Sequence, residues 1–246
     1  MNCRRWIFAA ACAVALALAT PAQAAADPRS DNSVSGKSID ETFSGYGRLV
    51  LDDGDRFGPW RTVFDGNADR ASVVVRGGEL RLKPRAATDP AETYSALVVS
   101  RARFTADPLH VSARWVTSRT TRIGTPNPWE VGWLVWDYRD NDHFTYLVLK
   151  PNGWEVGRRD PSQPGGQRHL YDGPLPKTPI GMKRSVTVDR VGPQTTIRVN
   201  GEFLVAYDLP YSERRGAVGM YAEDSVVRWM DISADQRPSD SVVRLR

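Results

Sequence analysis

The sequence predicts an all-β protein whose strands run mostly antiparallel, as in a sandwich or a barrel. Short β-branched and aromatic runs alternate with clusters of Gly, Pro, Asp and Asn about every 8 to 12 residues. No segment repeats apolar residues with a period of about 3.6 over three turns, as an amphipathic helix would. Without crossover helices, neighbouring strands must connect antiparallel. With 41% apolar and 25% charged residues, the chain is typical of a globular protein rather than a disordered or fibrous one.

The strands themselves are predicted from runs of strand-forming residues bounded by turn formers. Taken in order along the chain, they are Ser72–Arg76, Glu79–Lys83, Ser95–Ser100, His110–Val116, Val131–Asp137, Phe144–Leu149, Glu155–Arg159, Ser185–Arg190, Thr195–Val199, Phe203–Asp208, Ala217–Ala222 and Arg228–Ile232.

Three hairpin turns are predicted from their turn residues. Asn200-Gly201 indicates a type I′ turn, because both central residues must tolerate a positive φ. Gly77-Gly78 indicates another tight hairpin. Pro151-Asn152-Gly153 favours a three-residue loop, with Pro fixing the first φ and Gly in the left-handed region. Residues 160–179 are rich in Pro and Gly and are predicted to form a long surface connection.

The first 24 residues have the pattern of a secretory signal peptide. Arg4 and Arg5 precede an apolar run, and Ala22-Gln23-Ala24 supplies the small residues of a cleavage site. The run of about 14 residues is shorter than the roughly 20 needed to span a bilayer, and no later segment comes close. The sequence therefore predicts a secreted protein, extracellular or periplasmic, with no membrane span. Both the general secretory route and the twin-arginine route remain open.

The remaining chain is predicted to form a single domain. Residues 25–40 are polar and are expected to be a flexible leader, residues 41–234 to form the β domain, and residues 235–246 to be a charged tail. Both cysteines lie within the first 24 residues. The mature chain is therefore expected to contain no disulfide, thiolate nucleophile or Cys-ligated zinc.

Charge and motifs exclude several classes of function. The 33 basic and 29 acidic residues nearly balance, and no run of five Lys or Arg occurs, so nucleic acid is not an expected partner. The three histidines are scattered and form no zinc motif. The sequence also lacks a phosphate-binding loop, a dinucleotide fingerprint and a Gly-x-Ser-x-Gly elbow, which argues against nucleotide chemistry and serine hydrolysis.

The order of several short segments resembles the concanavalin A-like lectin/glucanase superfamily. These segments are Phe57-Gly-Pro-Trp60, Gly77-Gly-Glu-Leu-Arg-Leu82, Gly132-Trp-Leu-Val-Trp-Asp137, Asn141-Asp-His-Phe-Thr-Tyr146, Val199-Asn-Gly-Glu-Phe203 and Gly216-Ala-Val-Gly-Met-Tyr221. Over residues 41–234 the chain is most similar to laminin-G-like and keto-disaccharide-hydrolase-like domains of secreted bacterial proteins. The resemblance implies a jelly roll of two antiparallel sheets that engages glycans on one face or at its rim. It does not imply one function, since the superfamily includes lectins, hydrolases, lyases and adhesion modules.

Counting along the middle hairpins predicts which side chains share a face. With the three-residue loop above, Lys150 pairs with Trp154; with the preceding loop at Asp140-Asn141, Val135 pairs with Tyr146. The predicted core face carries Trp133, Val135, Phe144, Tyr146, Val148, Trp154 and Val156. The opposite face carries Glu130, Gly132, Leu134, Trp136, Thr145, Leu147, Leu149, Glu155, Gly157 and Arg159.

This opposite face has the residue types of a sugar-binding surface. Trp136 offers a plate for the apolar side of a pyranose, and Thr145, Glu155 and Arg159 offer hydrogen bonds to its hydroxyls. The alternative is a sheet face covered by a loop, with Glu155 and Arg159 solvated at its rim. A register slip of one residue would exchange the faces and make Trp133, Asp137, Tyr146, Lys150 and Arg158 the surface group.

The sequence leaves catalysis undecided. The Glu-x-Asp-x-(x)-Glu pattern of the superfamily's retaining glucanases is absent, and Glu130 with Glu155 is the only acidic pair predicted on one face. A polysaccharide lyase could instead use Tyr146 or His143 as a base beside Lys150 or Arg158.

The loop of residues 137–142 gathers oxygen atoms that could hold calcium, although Asp and Asn also simply favour turns. No other cofactor is expected.

The function predicted from the sequence is binding of an oligo- or polysaccharide by a secreted monomer. The alternatives are a glycoside hydrolase or polysaccharide lyase acting on an extracellular glycan, and a laminin-G-like protein-adhesion module.

Overall fold

The computed structural model describes residues 6–7, 37–66, 71–89, 91–105 and 107–236. Apart from Trp6–Ile7, the predicted signal peptide lies outside these residues, as do most of the predicted leader and the C-terminal tail. The described residues form two antiparallel sheets that pack face to face, so the predicted all-β sandwich is confirmed.

Nine strands form the first sheet, in which β2 pairs with β19 beside the main order of strands. The main order is β17 (Glu202–Asp208), β16 (Gln194–Val199), β15 (Lys183–Val191), β10 (Leu109–Thr120), β19 (Ser225–Asp235), β7 (Glu79–Leu82), β6 (Val73–Arg76) and β3 (Leu49–Leu51), and β2 is Ser38–Glu41.

Eight strands form the second sheet. Their order is β14 (Gln167–Gly173), β13 (Gly153–Arg159), β12 (His143–Lys150), β11 (Gly132–Asp140), β18 (Ala217–Glu223), β9 (Ser95–Ser100), β5 (Trp60–Phe64) and β4 (Arg56–Phe57). A separate two-stranded ribbon joins β1 (Trp6–Ile7) to β8 (Glu92–Thr93), and single 3₁₀ turns occupy Pro164–Gly166 and Tyr211–Glu213.

Every predicted strand is present, with ends shifted by a few residues. The strands that the sequence analysis did not predict are mostly short, except β14, which lies within the predicted surface connection. β2 also begins inside the predicted leader: Ile39 is buried in the core between the sheets, while its neighbours on either side are exposed. A single inward-facing isoleucine therefore anchors a segment whose composition is otherwise polar.

Two of the predicted turns have the expected geometry. Asn200 and Gly201 adopt φ values of 52° and 86°, and Gly77 and Gly78 adopt 62° and 74°. Both central residues of each turn lie in the left-handed region that a type I′ hairpin requires.

The first of the two middle hairpins has the predicted register at its centre. Val135 pairs with Tyr146, as expected. The pairing then shifts between Trp136 and Asp140, so the connecting loop falls on residues 141–142, one residue later than predicted. Such an irregularity inserts extra chain on one strand without changing the pairing before it.

The second middle hairpin differs from the prediction by one residue. Lys150 pairs with Gly153 rather than with Trp154, so residues 151–152 alone form the loop. Gly153 joins the strand with a φ of 147°, and a Cβ there would lie 2.1 Å from the carbonyl oxygen of Gly173. Because side chains alternate along a strand, this shift moves every residue of β13 to the face opposite the one predicted.

The shift redistributes the predicted core between the two faces of the second sheet. Trp154 and Val156 face the first sheet, together with Leu134, Trp136, Leu147 and Leu149. The remaining predicted core residues are also buried, but in a second apolar cluster on the outer face of this sheet. That cluster includes Trp133, Val135, Phe144, Tyr146, Val148 and Tyr221.

Candidate functional site

A groove with a cavity volume of about 600 Å³ lies on the outer face of the second sheet. It is bounded by the loop of residues 121–131, the β12–β13 turn and the edge strand β14. These three segments surround one end of the outer apolar cluster that contains Trp133. Its lining includes Trp129, Trp133, Lys150, Glu155, Gln167 and His169. A volume of this size is typical of small-molecule sites.

Glu155 is fixed in this groove by three neighbours. Tyr146 Oη donates a hydrogen bond of 2.9 Å to its Oε1, and Lys150 Nζ donates one of 3.1 Å to its Oε2. His169 Nδ1 lies 3.1 Å from Oε1. Burial, followed by the nearby Glu155 carboxylate, raises the pKa of Tyr146, so the phenol stays protonated and donates.

The phenol of Tyr146 reaches Glu155 because residue 157, directly across from it, is glycine. A Cβ built at Gly157 would lie 2.2 Å from Tyr146 Oη. Any side chain there would displace the phenol from the carboxylate.

Aromatic rings form the floor and one wall of the groove. Trp133 lies between Tyr146 and Tyr221, with ring-centroid distances of 4.7 and 4.8 Å. Its Nε1 donates a 2.9 Å hydrogen bond to the backbone carbonyl of Trp129. Trp129 itself is 38% exposed, so an accessible indole stands above a rigid aromatic floor.

Buried charges hold the loop that carries Trp129. Glu130 accepts hydrogen bonds from Arg122 Nε and from Asn127 Nδ2, and Arg122 Nη2 also donates to Asp224 at 3.2 Å. Asp224 further accepts from the backbone N–H of Ala87. Burial raises the pKa of Asp224 to about 6 in spite of these donors.

A smaller cavity of about 30 Å³ adjoins the groove and shares Thr93, Trp133 and Gln167 with it. Arg159 and Glu223 also line this cavity. Tyr221 Oη donates a 2.6 Å hydrogen bond to Glu223 Oε2. Burial raises the pKa of Glu223 to about 8, and this hydrogen bond only partly opposes the shift.

The predicted binding residues do not share one surface. Glu155 lines the groove and Arg159 lines the adjoining cavity, whereas Trp136 and Thr145 are 1% and 0% exposed and belong to the other face of the sheet. Thr145 Oγ1 accepts a 2.9 Å hydrogen bond from Arg158, which pairs with Thr145 across the strands. The predicted row of Trp136, Thr145 and Arg159 is thus a row of Trp136, Thr145 and Arg158, because of the one-residue shift in the second hairpin.

The alternative surface group is also divided. Trp133, Tyr146 and Lys150 lie on the outer face, as that alternative predicted. Asp137 and Arg158 are buried away from the groove. Asp137 Oδ1 accepts a 2.6 Å hydrogen bond from Arg190 Nη1, and Arg158 Nε lies 3.5 Å from Glu213 Oε2. Burial raises the pKa of Asp137 against the pull of Arg190.

The predicted catalytic pair occupies two different settings. Glu155 faces the groove, but the Glu130 side chain is fully buried in its contacts with Arg122 and Asn127. Its Oε2 has no hydrogen-bond partner among the described residues.

The proposed calcium ligands point to protein partners instead of converging. Asp140 accepts from the backbone N–H of Asp142 and lies 2.7 Å from His143 Nδ1, while Asn141 accepts from Tyr138 Oη. Within the described ranges no group of three or more His, Cys, Asp or Glu side chains could hold a metal ion. These residues therefore do not fit a calcium site.

Several lining residues were not predicted from the sequence. Gln167 and His169 lie on β14, which was expected to be loop, and Glu223 is the last residue of β18, one residue beyond the strand predicted there. Trp129 offered the one usable signal, an indole next to a proline in a turn-rich segment. Gln167, His169 and Glu223 line these cavities because of the order of strands in the sheet, which local sequence patterns do not reveal.

Comparison with solved structures shows the fold. The carbohydrate recognition domain of Emp47p matches with a TM-score of 0.54 and 9% identity, covering 82% of this chain and 95% of that one. The exoplasmic/lumenal domain of VIP36 in its Ca²⁺-bound form matches with a TM-score of 0.53 and 13% identity over 85% and 94%. Its Ca²⁺/Man2-bound form gives 0.52 and 13% over 87% and 95%. These neighbours support the lectin-like β-sandwich implied by the sequence resemblance.

No family profile matches the chain, and a search of curated proteins finds no match. Among the described residues there is no helix of the length and hydropathy needed to cross a membrane.

Proposed function

We propose that this protein binds a carbohydrate in the groove on the outer face of its second sheet. The observation that carries the proposal is the accessible indole of Trp129 beside the fixed polar groups of Lys150, Glu155 and His169. An aromatic ring can cover the apolar face of a sugar, while donors and acceptors held nearby can bind its hydroxyls.

The rigidity of these polar groups favours binding. Glu155 is already held by Tyr146 and Lys150 before any ligand arrives, so little side-chain freedom is lost on association. The structural neighbours add support. The matched part of Emp47p is its carbohydrate recognition domain, and the VIP36 domain has a structure in a Ca²⁺/Man2-bound form.

Binding is favoured over a hydrolysis reaction that would use Glu130 and Glu155 as its two carboxyl groups. A glycosidase needs two carboxyl groups flanking the scissile bond, and the Glu130 carboxylate is engaged by Arg122 and Asn127 beneath the loop. A hydrolase or lyase, including one like the keto-disaccharide hydrolases, remains the second interpretation. Release of product from a glycan panel would support it.

The test is a glycan array followed by affinity measurement on Trp129→Ala. Loss of the exposed indole should weaken binding about tenfold, because an aromatic contact of this kind contributes on the order of 1 kcal/mol. The far-UV circular dichroism should not change.

Phe203→Ala is the matched control, since Phe203 is 64% exposed on the first sheet. It should leave affinity unchanged. If Trp129→Ala bound the glycan with the same affinity as the parent, the proposal that the groove is the binding site would be wrong. An array without any bound glycan, together with capture of a defined protein, would favour the adhesion interpretation instead.

We also propose that the protein is exported and cleaved after Ala24. The charged, apolar and small-residue order of the first 24 residues supports this. The mass of the mature protein from a secreting host should correspond to a chain beginning at Ala25. A full-length mass in the cytosolic fraction would contradict export.

A further inference from the structure

We propose that an arginine-lined depression on the outer face of the first sheet binds a polyuronate, an acidic polysaccharide with a carboxylate on each sugar unit. The depression has a volume of about 240 Å³. Its lining residues are Arg48, Val74, Arg76, Glu79, Arg81 and Arg228. The depression and the main groove lie on opposite sides of the sandwich, because they occupy the outer faces of different sheets. This second site is therefore separate from the sugar binding proposed for the groove.

The strand register places these arginines on the outside of the sheet. Arg228 of β19 pairs with Arg81 of β7, and Arg81 pairs with Val74 of β6. The residues on either side of Arg228 and of Arg81 are buried between the sheets, so both arginines point outward. Arg76 at the end of β6 and Arg48 just before β3 are also exposed. Four guanidinium groups thus stand on adjoining strands of one accessible surface.

Arg228 and Arg81 stand directly opposite each other although they carry the same charge. Directly paired side chains in an antiparallel sheet have Cβ atoms about 5 Å apart, and like charges in such positions are destabilising. The one carboxylate in the lining is Glu79, whose Oε2 lies 3.5 Å from Arg228 Nη1. These two side chains are 30% and 44% exposed, and exposed ion pairs contribute little. A bound anion would relieve the repulsion that Glu79 leaves.

Most of the donors of these arginines are not used by the protein itself. Arg228 Nε donates a 3.1 Å hydrogen bond to Ser118 Oγ, and Arg81 Nη2 makes a long 3.5 Å contact with a backbone carbonyl oxygen. Within the described ranges, the side chains of Arg48 and Arg76 form neither a hydrogen bond nor an ion pair. Each guanidinium carries five N–H groups in a planar fork that matches a carboxylate. The surface therefore holds more donors than its own carboxylate can accept.

The lining favours a polysaccharide over other anionic partners. Val74 is the one uncharged lining residue, and it is 4% exposed. Single-stranded nucleic acid is held by aromatic side chains on which its bases stack, and a membrane surface is entered by large apolar side chains. The depression offers neither kind of contact. A polyuronate requires only repeated cations along a shallow surface, which the four arginines supply.

The experiment measures the affinity of wild type and of Arg81→Gln/Arg228→Gln for polygalacturonate by calorimetry. At about 50 mM NaCl the double variant should bind about tenfold more weakly, because two of the four cations are lost. Raising NaCl from about 50 to about 200 mM should weaken wild-type binding on the order of 100-fold, since four neutralised charges release their counterions. The double variant should show a smaller salt dependence. Its far-UV circular dichroism should not change, because both side chains are exposed.

Arg114→Gln/Arg198→Gln is the matched control for net charge. It removes the same total charge from exposed arginines of the first sheet that already contact Asp231 and Asp189. Its affinity for polygalacturonate should stay within about twofold of wild type. Trp129→Ala should also keep the wild-type affinity, because the groove lies on the other sheet.

Equal affinity of wild type and Arg81→Gln/Arg228→Gln, an equal loss in the matched control, or no binding of polygalacturonate at about 50 mM NaCl would overturn the inference. So would binding to phosphatidylglycerol vesicles in place of polygalacturonate, which would assign the arginines to a membrane surface. Loss of polygalacturonate binding in Trp129→Ala would move the site to the groove and overturn it too. Failure of the groove proposal is seen separately, in the binding of glycan-array ligands by Trp129→Ala.

Discussion

Three residues show how the same side-chain chemistry serves different ends in this chain. Trp136 is sealed between the sheets, Trp133 forms the floor of the groove, and Trp129 is accessible above it. All three stand within one short stretch of sequence. Only their alternation along β11 and the loop before it separates a core residue from a candidate ligand contact.

Trp136→Ala should therefore act on stability. Removing a fully buried indole leaves a cavity between the sheets, and the free energy of unfolding should fall by about 3 to 5 kcal/mol. Urea denaturation followed by circular dichroism measures this. If the variant were as stable as the parent but lost glycan binding, the assignment of Trp136 to the core would be wrong.

The β12–β13 hairpin shows why the sequence predicted the strands well but placed the site only in part. All the longer strands except β14 were found, because β-branched runs and turn residues mark them locally. The alternation along β12 could not fix the register, since six consecutive residues of that strand are buried and both faces are apolar. One residue of turn length then decided which face Glu155 occupies, and it placed Arg158 instead of Arg159 across from Thr145.

Strand β14 was missed for a different physical reason. Its Gln, Arg, His and Asp residues are exposed or half-buried at the edge of the sheet, so no hydrophobic pattern marks it. Gln167 and His169 consequently could not be assigned to the groove. Residues such as Glu130 and Glu223, far apart in sequence, come together only through the order of strands.

Gly153→Ala tests the two-residue loop of this hairpin. The added methyl group would lie 2.1 Å from the carbonyl oxygen of Gly173, so β13 and β14 must separate locally. The free energy of unfolding should fall by about 1 to 3 kcal/mol, and amide exchange should rise along β14. Gly47→Ala, where nothing lies within 4 Å, should be nearly neutral.

At the scale of the whole molecule, the second sheet carries two apolar layers rather than one. Its inner face packs on the first sheet, and its outer face holds the cluster around Trp133 and Tyr146. The acids at the end of this outer layer lie in a poorly solvated setting, which favours their protonated forms. Stability of the fold should therefore depend on pH.

Glu223 determines whether this part of the stability rises or falls with pH. Its pKa is raised from 4.5 to about 8 on folding, so the folded protein holds a proton that the unfolded chain releases. Its contribution is fully present below pH 4.5 and is lost as the pH rises toward 8, at about 1.4 kcal/mol per pH unit. Urea unfolding at pH 5 and pH 8 should show a decline that is smaller in Glu223→Gln. An equal decline in both proteins would contradict the raised pKa.

The missing side chain at position 157 has an effect beyond its own strand. Because Gly157 leaves room for the Tyr146 phenol, the carboxylate of Glu155 is oriented by an internal donor. An alanine there would displace this donor and leave the carboxylate held by Lys150 and His169 alone. A single methyl group at position 157 would thus remove one of the three contacts that orient this carboxylate.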